Sequence, residues 1–117
     1  MNKLTIIGNL VRDPELRTTT SGKDVCSFTV AVNRRNTDEA DFFRVSAWEN
    51  LARICNQYLA KGRKVAVIGS VGVHTYTDSN GETKASLEVT ASDVEFLSPK
   101  GQGGTVVNDP DDPFAGR

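Results

Sequence analysis

The sequence predicts an all-β domain, a closed barrel of five strands with one α-helix between the third and the fourth. Three features carry that expectation. Most of the chain alternates apolar and polar residues with period two, so each segment can close a core with one face and meet solvent with the other. One stretch breaks the rule: Leu51, Ile54, Cys55, Tyr58 and Leu59 recur at i, i+3, i+4, i+7 and i+8, the spacing of an amphipathic helix. Finally, Asp78-Ser79-Asn80-Gly81 divides two long strand-like runs, and Asn-Gly is the strongest short-range signal for a hairpin.

In chain order, Lys3 to Leu10 is a β-rich run with Leu4 and Ile6 in alternation and Gly8 permitting a bend or bulge. Val11 to Gly22 reads as a polar loop holding Arg12 and Arg17, with Asp13-Pro14 and Ser21-Gly22 as turn signals. Asp24 to Asn33 alternates cleanly, with Cys26, Phe28, Val30 and Val32 inward. A short charged connection from Arg34 to Ala40 leads into Asp41–Trp48, with Phe43, Val45 and Ala47 inward. Asn50 suits a helix N-cap, and Lys61-Gly62 suits the other end, with glycine in the left-handed cap position. Lys64 to Tyr76 is one long strand or two joined at Gly69 or Gly72. Lys84 to Leu97 returns with Leu87 and Val89, then Val94 and Phe96 after a shift of phase. Three strands, a helix and a two-stranded hairpin form the element order of an OB-fold. Residues 1–100 are thus one domain. Residues 101–117, opened by Gly101, Gly103 and Gly104, have almost nothing to bury and are expected to be a disordered tail.

Composition narrows the function. The net charge of −1 hides an uneven division: residues 1–100 carry 13 basic against 12 acidic side chains, while the tail sets Arg117 against Asp109, Asp111 and Asp112. No apolar run approaches a transmembrane span, and Met1-Asn2-Lys3 leads straight into a strand, which points to the cytoplasm. Cys26 and Cys55 are too few for a disulfide framework and read as buried thiols. His74 is the only histidine, and neither a glycine-rich phosphate loop nor a metal-ligand cluster occurs, so the chain reads as a non-enzyme without cofactor or metal.

A binding surface is what remains. The face of Asp41–Trp48 opposite the core carries Phe42, Arg44, Ser46 and Trp48. Two aromatic rings with a guanidinium between them suit a partner that is flat and anionic, since bases stack on rings and phosphates pair with arginine. The same residues would equally serve under a loop or at a subunit interface. Tyr76 and its neighbour His74 lie on a hairpin face, Arg34 and Arg35 precede the aromatic strand, and Lys3, Arg12 and Arg17 are further basic contributors.

The runs NKLTIIGNLVRDPELR, FFRVSAWENLARICNQYLAKG, VAVIGSV and YTDSNGETKASLEV, with Ser21-Gly22 and Val30 to Arg35, together resemble bacterial single-stranded DNA-binding proteins over residues 1–97. The resemblance implies an OB-fold homotetramer in the cytoplasm, associated with the nucleoid. It would wrap single-stranded DNA with little sequence preference, protecting it during replication, recombination and repair. It implies stacking by Phe42, Trp48 and Tyr76, and basic contacts from Arg44, Lys3 and Arg17. Asn36, Thr18 and Ala66 stand where relatives often carry aromatics, and Gly72 and His74 where they carry basic residues, so weaker and more salt-sensitive binding is expected. Asp111-Asp112-Pro113-Phe114 resembles the acidic tip through which family members recruit replication and repair proteins, although Ala115-Gly116-Arg117 follows it here. The resemblance is also compatible with a specialised paralogue of a phage, a mobile element, DNA uptake or replication restart. Taken without it, the aromatic face also fits an OB-fold protein-interaction module.

Overall fold

The computed structural model describes residues 1–98; the expected tail, with Asp109, Asp111, Asp112, Pro113 and Phe114, lies outside the described residues. The elements are β1 (Leu4–Leu10), β2 (Glu15–Thr18), β3 (Asp24–Asn33), β4 (Ala40–Trp48), α1 (Asn50–Tyr58), β5 (Lys64–Thr77) and β6 (Thr83–Phe96). Hydrogen bonding runs in the order β1-β5-β6-β4-β3-β2, and a further β1–β3 pairing closes five of these strands into a ring. The sole parallel contact among the described strands, β4 with β6, sits where the chain returns from the hairpin. This is the five-stranded OB barrel, with α1 between the third and fourth strands of the ring.

Alternation closes the core. Phe28, Val45, Val89 and Val71 stand in one row across β3, β4, β6 and β5; the first three are buried and Val71 is half-buried. Cys26, Val30, Ala47, Val65 and Val67 are fully buried, and Ala52, Cys55 and Leu59 fix α1 and the chain just after it against the barrel. Each such side chain contributes about 1.5–3 kcal/mol relative to exposure when it is a large aliphatic, so the barrel interior dominates stability.

Closure needs two tight approaches. At Gly8 a Cβ would sit on the Ala31 carbonyl oxygen and only 2.9 Å from Val30 Cγ1, so β1 can cross β3 because residue 8 has no side chain. Gly69 makes the same close approach to the Thr90 carbonyl. Beside it the ladder shifts register, and the bulged Ser92 hydroxyl donates to the Ile68 carbonyl at 3.0 Å. That bulge is the phase shift visible in β6, and it lets β5 and β6 run continuously past the barrel as a hairpin arm.

Three expectations are corrected. The polar loop from Val11 to Gly22 contains a strand: β2 pairs with β3 from Glu15↔Ser27 to Thr18↔Asp24. All four of its residues are exposed, so no apolar alternation could announce it. Asn50 is the first residue of the helix rather than its N-cap. Glu49 occupies that place at φ +56 with no side-chain cap, and its amide donates 2.7 Å to the Asp24 carbonyl, so β3 anchors the helix start. At the other end Leu59 is the cap, in extended geometry; Gly62, at φ +86, serves the following turn, where its amide donates to the Leu10 carbonyl. The Asp78–Gly81 hairpin turn forms as expected, with Gly81 at φ +79 and the Asp78 carboxylate accepting from the Asn80 and Glu82 amides at 2.9 Å each.

Candidate nucleic-acid interface

The solvent face of the barrel is set by the same register as the core. One residue along from the buried row, Thr29, Arg44, Glu88 and Gly72 align across β3, β4, β6 and β5, all on the outer side. Alternation then places Phe42 and Trp48 on β4, and His74 and Tyr76 on β5, on that outer side too. Phe42 is 60% exposed, Trp48 42% and Tyr76 46%, and six residues of strand put Phe42 and Trp48 roughly 20 Å apart. Phe42 faces Ala31 on β3, a small neighbour that leaves its ring open. Trp48 faces Val25, which faces Arg17 on β2, so a guanidinium lies two strands from the indole. The His74 and Tyr76 rings lie nearly parallel, 6.4 Å between centroids and 17° between planes, an offset pair on one face of the arm.

The basic residues divide by what already holds them. Arg44 and Arg35 are exposed and make no ion pair with any described residue. Arg17 meets Glu15 at 3.5 Å with both side chains mostly in solvent, a weak contact that a phosphate could replace. Arg34 is different: it reaches Asp41 at 2.8 Å and Glu39 at 3.2 Å, and the Asp41 hydrogen bond raises its pKa further. Its charge is compensated by these two carboxylates, so it adds little to an anion-binding face. Lys3 follows Asn2, whose side-chain amide binds the Val71 backbone at both N–H (3.0 Å) and carbonyl (2.7 Å), holding the N-terminus at the base of the arm.

Beside Arg44 lies an open groove of about 470 Å³, lined among others by Arg12, Ser27, Thr29, Ser46 and Glu88. Sequence reading placed Ser46 on this face but missed Glu88. The pairing of β4 with β6 leaves no local signal, because parallel neighbours are joined through a crossover rather than a turn.

Among the described residues no group of three His, Cys, Asp or Glu could hold a metal ion. Burial pushes the Cys26 thiol up to about 11, and burial with the nearby Cys26 pushes Cys55 up to about 12, so both stay protonated and inert as nucleophiles at neutral pH. No helix among the described residues is long and apolar enough to cross a membrane.

An outward row of rings and unpaired cations on an OB barrel is the arrangement that single-strand binding uses. The family model for the single-strand binding protein family matches residues 1–97. The chain belongs to that family. It is 43% identical to a single-stranded DNA-binding protein of Caldanaerobacter subterraneus, over 86% of this chain and 70% of that one. It is 40% identical to one from Staphylococcus aureus, over 90% of this chain and 70% of the relative. With a further one from Halalkalibacterium halodurans the identity is 36%, over 99% of this chain and 77% of the other. Membership accounts for the barrel.

Proposed function

We propose that this protein binds single-stranded DNA with little sequence preference. Bases stack on Phe42, Trp48 and Tyr76, phosphates meet Arg44, Arg17, Lys3 and Arg35, and no chemical step follows. The observation that carries this reading is the exposure of two large rings flanking an unpaired arginine on the outer face of β4, in a chain whose relatives are named for binding single-stranded DNA. Stacking is tolerant of sequence because every base offers a π-face. His74 and Tyr76 extend the path onto the arm, and Arg34 contributes only when Asp41 and Glu39 release it. Protection of exposed strands during replication, recombination and repair is the role such binding serves. A cytoplasmic, nucleoid-associated location fits it.

The working unit we infer is a homotetramer. Ile7, 51% exposed, and half-buried Ile68 lie on the outer face of β1 and β5 beside the already buried Ala66, apolar surface that a second copy would cover. Recruitment of replication and repair proteins through Asp109, Asp111, Asp112, Pro113 and Phe114 is part of the same proposal and rests on sequence alone.

Titration of Trp48 fluorescence with oligo-dT of increasing length, at two salt concentrations, tests the central reading. Strong quenching with a salt-dependent midpoint is expected. Fluorescence that ignores the oligonucleotide and follows protein dilution instead would place Trp48 in a protein interface and favour an interaction module.

A further inference from the structure

β5 and β6 leave the barrel as a two-stranded arm. β4 pairs with β6 only from Arg44↔Glu88 to Ser46↔Thr90, and β1 pairs with β5 only from Leu4↔Gly69 to Asn9↔Lys64. From Val73↔Leu87 to Thr77↔Thr83 the two strands are paired, among the described strands, with each other alone. Packing does little to hold them, since Val73 is 67% exposed and Leu87 41%. A two-stranded ribbon is marginally stable by itself and twists over a wide range, so the contacts at its root set where it points. One of these contacts comes from outside the ladder. Asn2 accepts from the Val71 amide at 3.0 Å through Oδ1 and donates to the Val71 carbonyl at 2.7 Å through Nδ2. Continuing the β1–β5 register past Leu4↔Gly69 sets residue 2 opposite residue 71, so the carboxamide takes the place of a further rung.

We propose that Asn2 is a positioning residue for DNA binding: its clasp on Val71 fixes the direction of the arm, so that the His74 and Tyr76 rings continue the stacking path of Phe42 and Trp48. The inference rests on the single-strand binding proposed above and adds the group that aligns its two halves. Val71 is the last residue of β5 toward the arm that packs against the core, which puts the clasp at the hinge. Tyr76 lies five residues farther on, roughly 16 Å along the strand. A swing of about 15° at the root would carry its ring about 4 Å, as far as the whole ~3.5–4.0 Å separation of atoms in contact. A carboxamide suits the task because it sets one donor group and one acceptor side by side, matching the N–H and C=O of a single residue. An aliphatic side chain makes neither bond, and a carboxylate would repel the carbonyl.

A double-variant cycle separates positioning from a merely structural tie. Asn2→Leu keeps the approximate size of the side chain, removes both hydrogen bonds and lies outside the core cluster. Asn2→Ala, run beside it, guards against an effect of the new aliphatic group itself. Anisotropy of labelled oligo-dT is measured for the full chain, for Asn2→Leu, for Tyr76→Ala and Phe42→Ala, and for each ring variant combined with Asn2→Leu. Tyr76→Ala alone should raise Kd ~5-fold or more. In the Asn2→Leu background it should raise Kd less than ~2-fold, because a misdirected ring has little contact left to lose, while Phe42→Ala should cost the same factor in both backgrounds. The full cost of Tyr76→Ala in both backgrounds would overturn the proposal and leave the clasp a structural tie. So would a Tyr76→Ala variant that binds like the wild type, which takes the arm off the path while leaving binding on β4 intact. Loss of the Phe42 contribution together with that of Tyr76 would equally overturn it, by showing a disturbed barrel rather than a turned arm. Wild-type protein that leaves the anisotropy of the oligonucleotide unchanged would remove the single-strand reading itself.

Discussion

Removing both rings from β4, as Phe42→Ala with Trp48→Ala, should abolish most binding while the barrel survives. Neither side chain belongs to the core cluster, and the residues between them that do, Val45 and Ala47, are unchanged. Phe42 is 60% exposed, so its loss should cost the fold little. Trp48 is 42% exposed and packs partly over Val25; with roughly half of a ~200 Å² side chain covered, truncation costs up to about 2.5 kcal/mol at ~25 cal/mol/Å². Binding should suffer more. At ~1–3 kcal/mol per stacked base, two lost platforms remove ~2–6 kcal/mol, a rise in Kd between ~30-fold and ~10⁴-fold. Because the double variant has no tryptophan to report, anisotropy of a labelled oligo-dT is the assay, with a thermal melt to show that the variant is folded. A folded variant whose Kd rises less than ~3-fold would refute the stacking argument, since even one platform at the low end of its range should exceed that.

Other perturbations test neighbouring steps. Gly72→Lys adds a cation where a new side chain meets nothing within 4 Å, and should tighten binding and steepen the dependence of log K on log salt by roughly 0.7–1; an unchanged slope would show that DNA does not pass this point. Asp24 accepts from Arg53 at 2.7 Å and from Thr18 at 2.9 Å, contacts that hold its carboxyl below the usual range. Its stabilisation is therefore present above the unfolded value near pH ~4 and is lost as pH falls through the lower folded value. Asp24→Asn should accordingly denature at lower urea than wild type at neutral pH, with the gap closing in acid; a gap constant down to pH ~2 would contradict the linkage. Gly8→Ala drives a Cβ into the Ala31 carbonyl and should cost ~1–3 kcal/mol or more in thermal unfolding, whereas a neutral result would mean that β1 need not cross β3 so closely.

What the sequence made legible follows from where the signal is local. Strands that bury one face, such as Cys26–Phe28–Val30 and Phe43–Val45–Ala47, announce themselves by alternation, and Phe42, Arg44 and Trp48 stand out because their parity is wrong for solvent. β2 buries nothing and so leaves no pattern, although hydrogen bonds to β3 alone define it. The helix start was misplaced by one residue because a strand carbonyl, Asp24, holds it instead of a capping side chain. Arg34 adjoins the binding face in sequence, yet Glu39 from the connecting turn and Asp41 at the start of β4 compensate it. Glu88 was invisible as a site residue because its closeness to Arg44 exists only through the parallel pairing of β4 and β6.

Core and binding face are consequently one arrangement read from two sides. The row Phe28–Val45–Val89–Val71 closes the barrel, and the row Thr29–Arg44–Glu88–Gly72 beside it faces outward. A slip of one residue in β4 would turn Phe42, Arg44 and Trp48 into the core and Val45 and Ala47 out to solvent. Burying a guanidinium and exposing Val45, one of the largest fully buried side chains, makes that slip prohibitive, so hydrophobic closure itself fixes the direction of the rings. The glycines act on the same register: Gly8 lets β1 meet β3, and Gly69 lets β5 approach the Thr90 carbonyl of β6 where the Ser92 bulge shifts their register. Tyr76, seven residues beyond Gly69 on the same strand, keeps the outward parity of β5 out on the arm, because the extra residue of the bulge lies on β6. Substitutions at the closure glycines should therefore weaken binding as well as stability, even though neither glycine touches the proposed path.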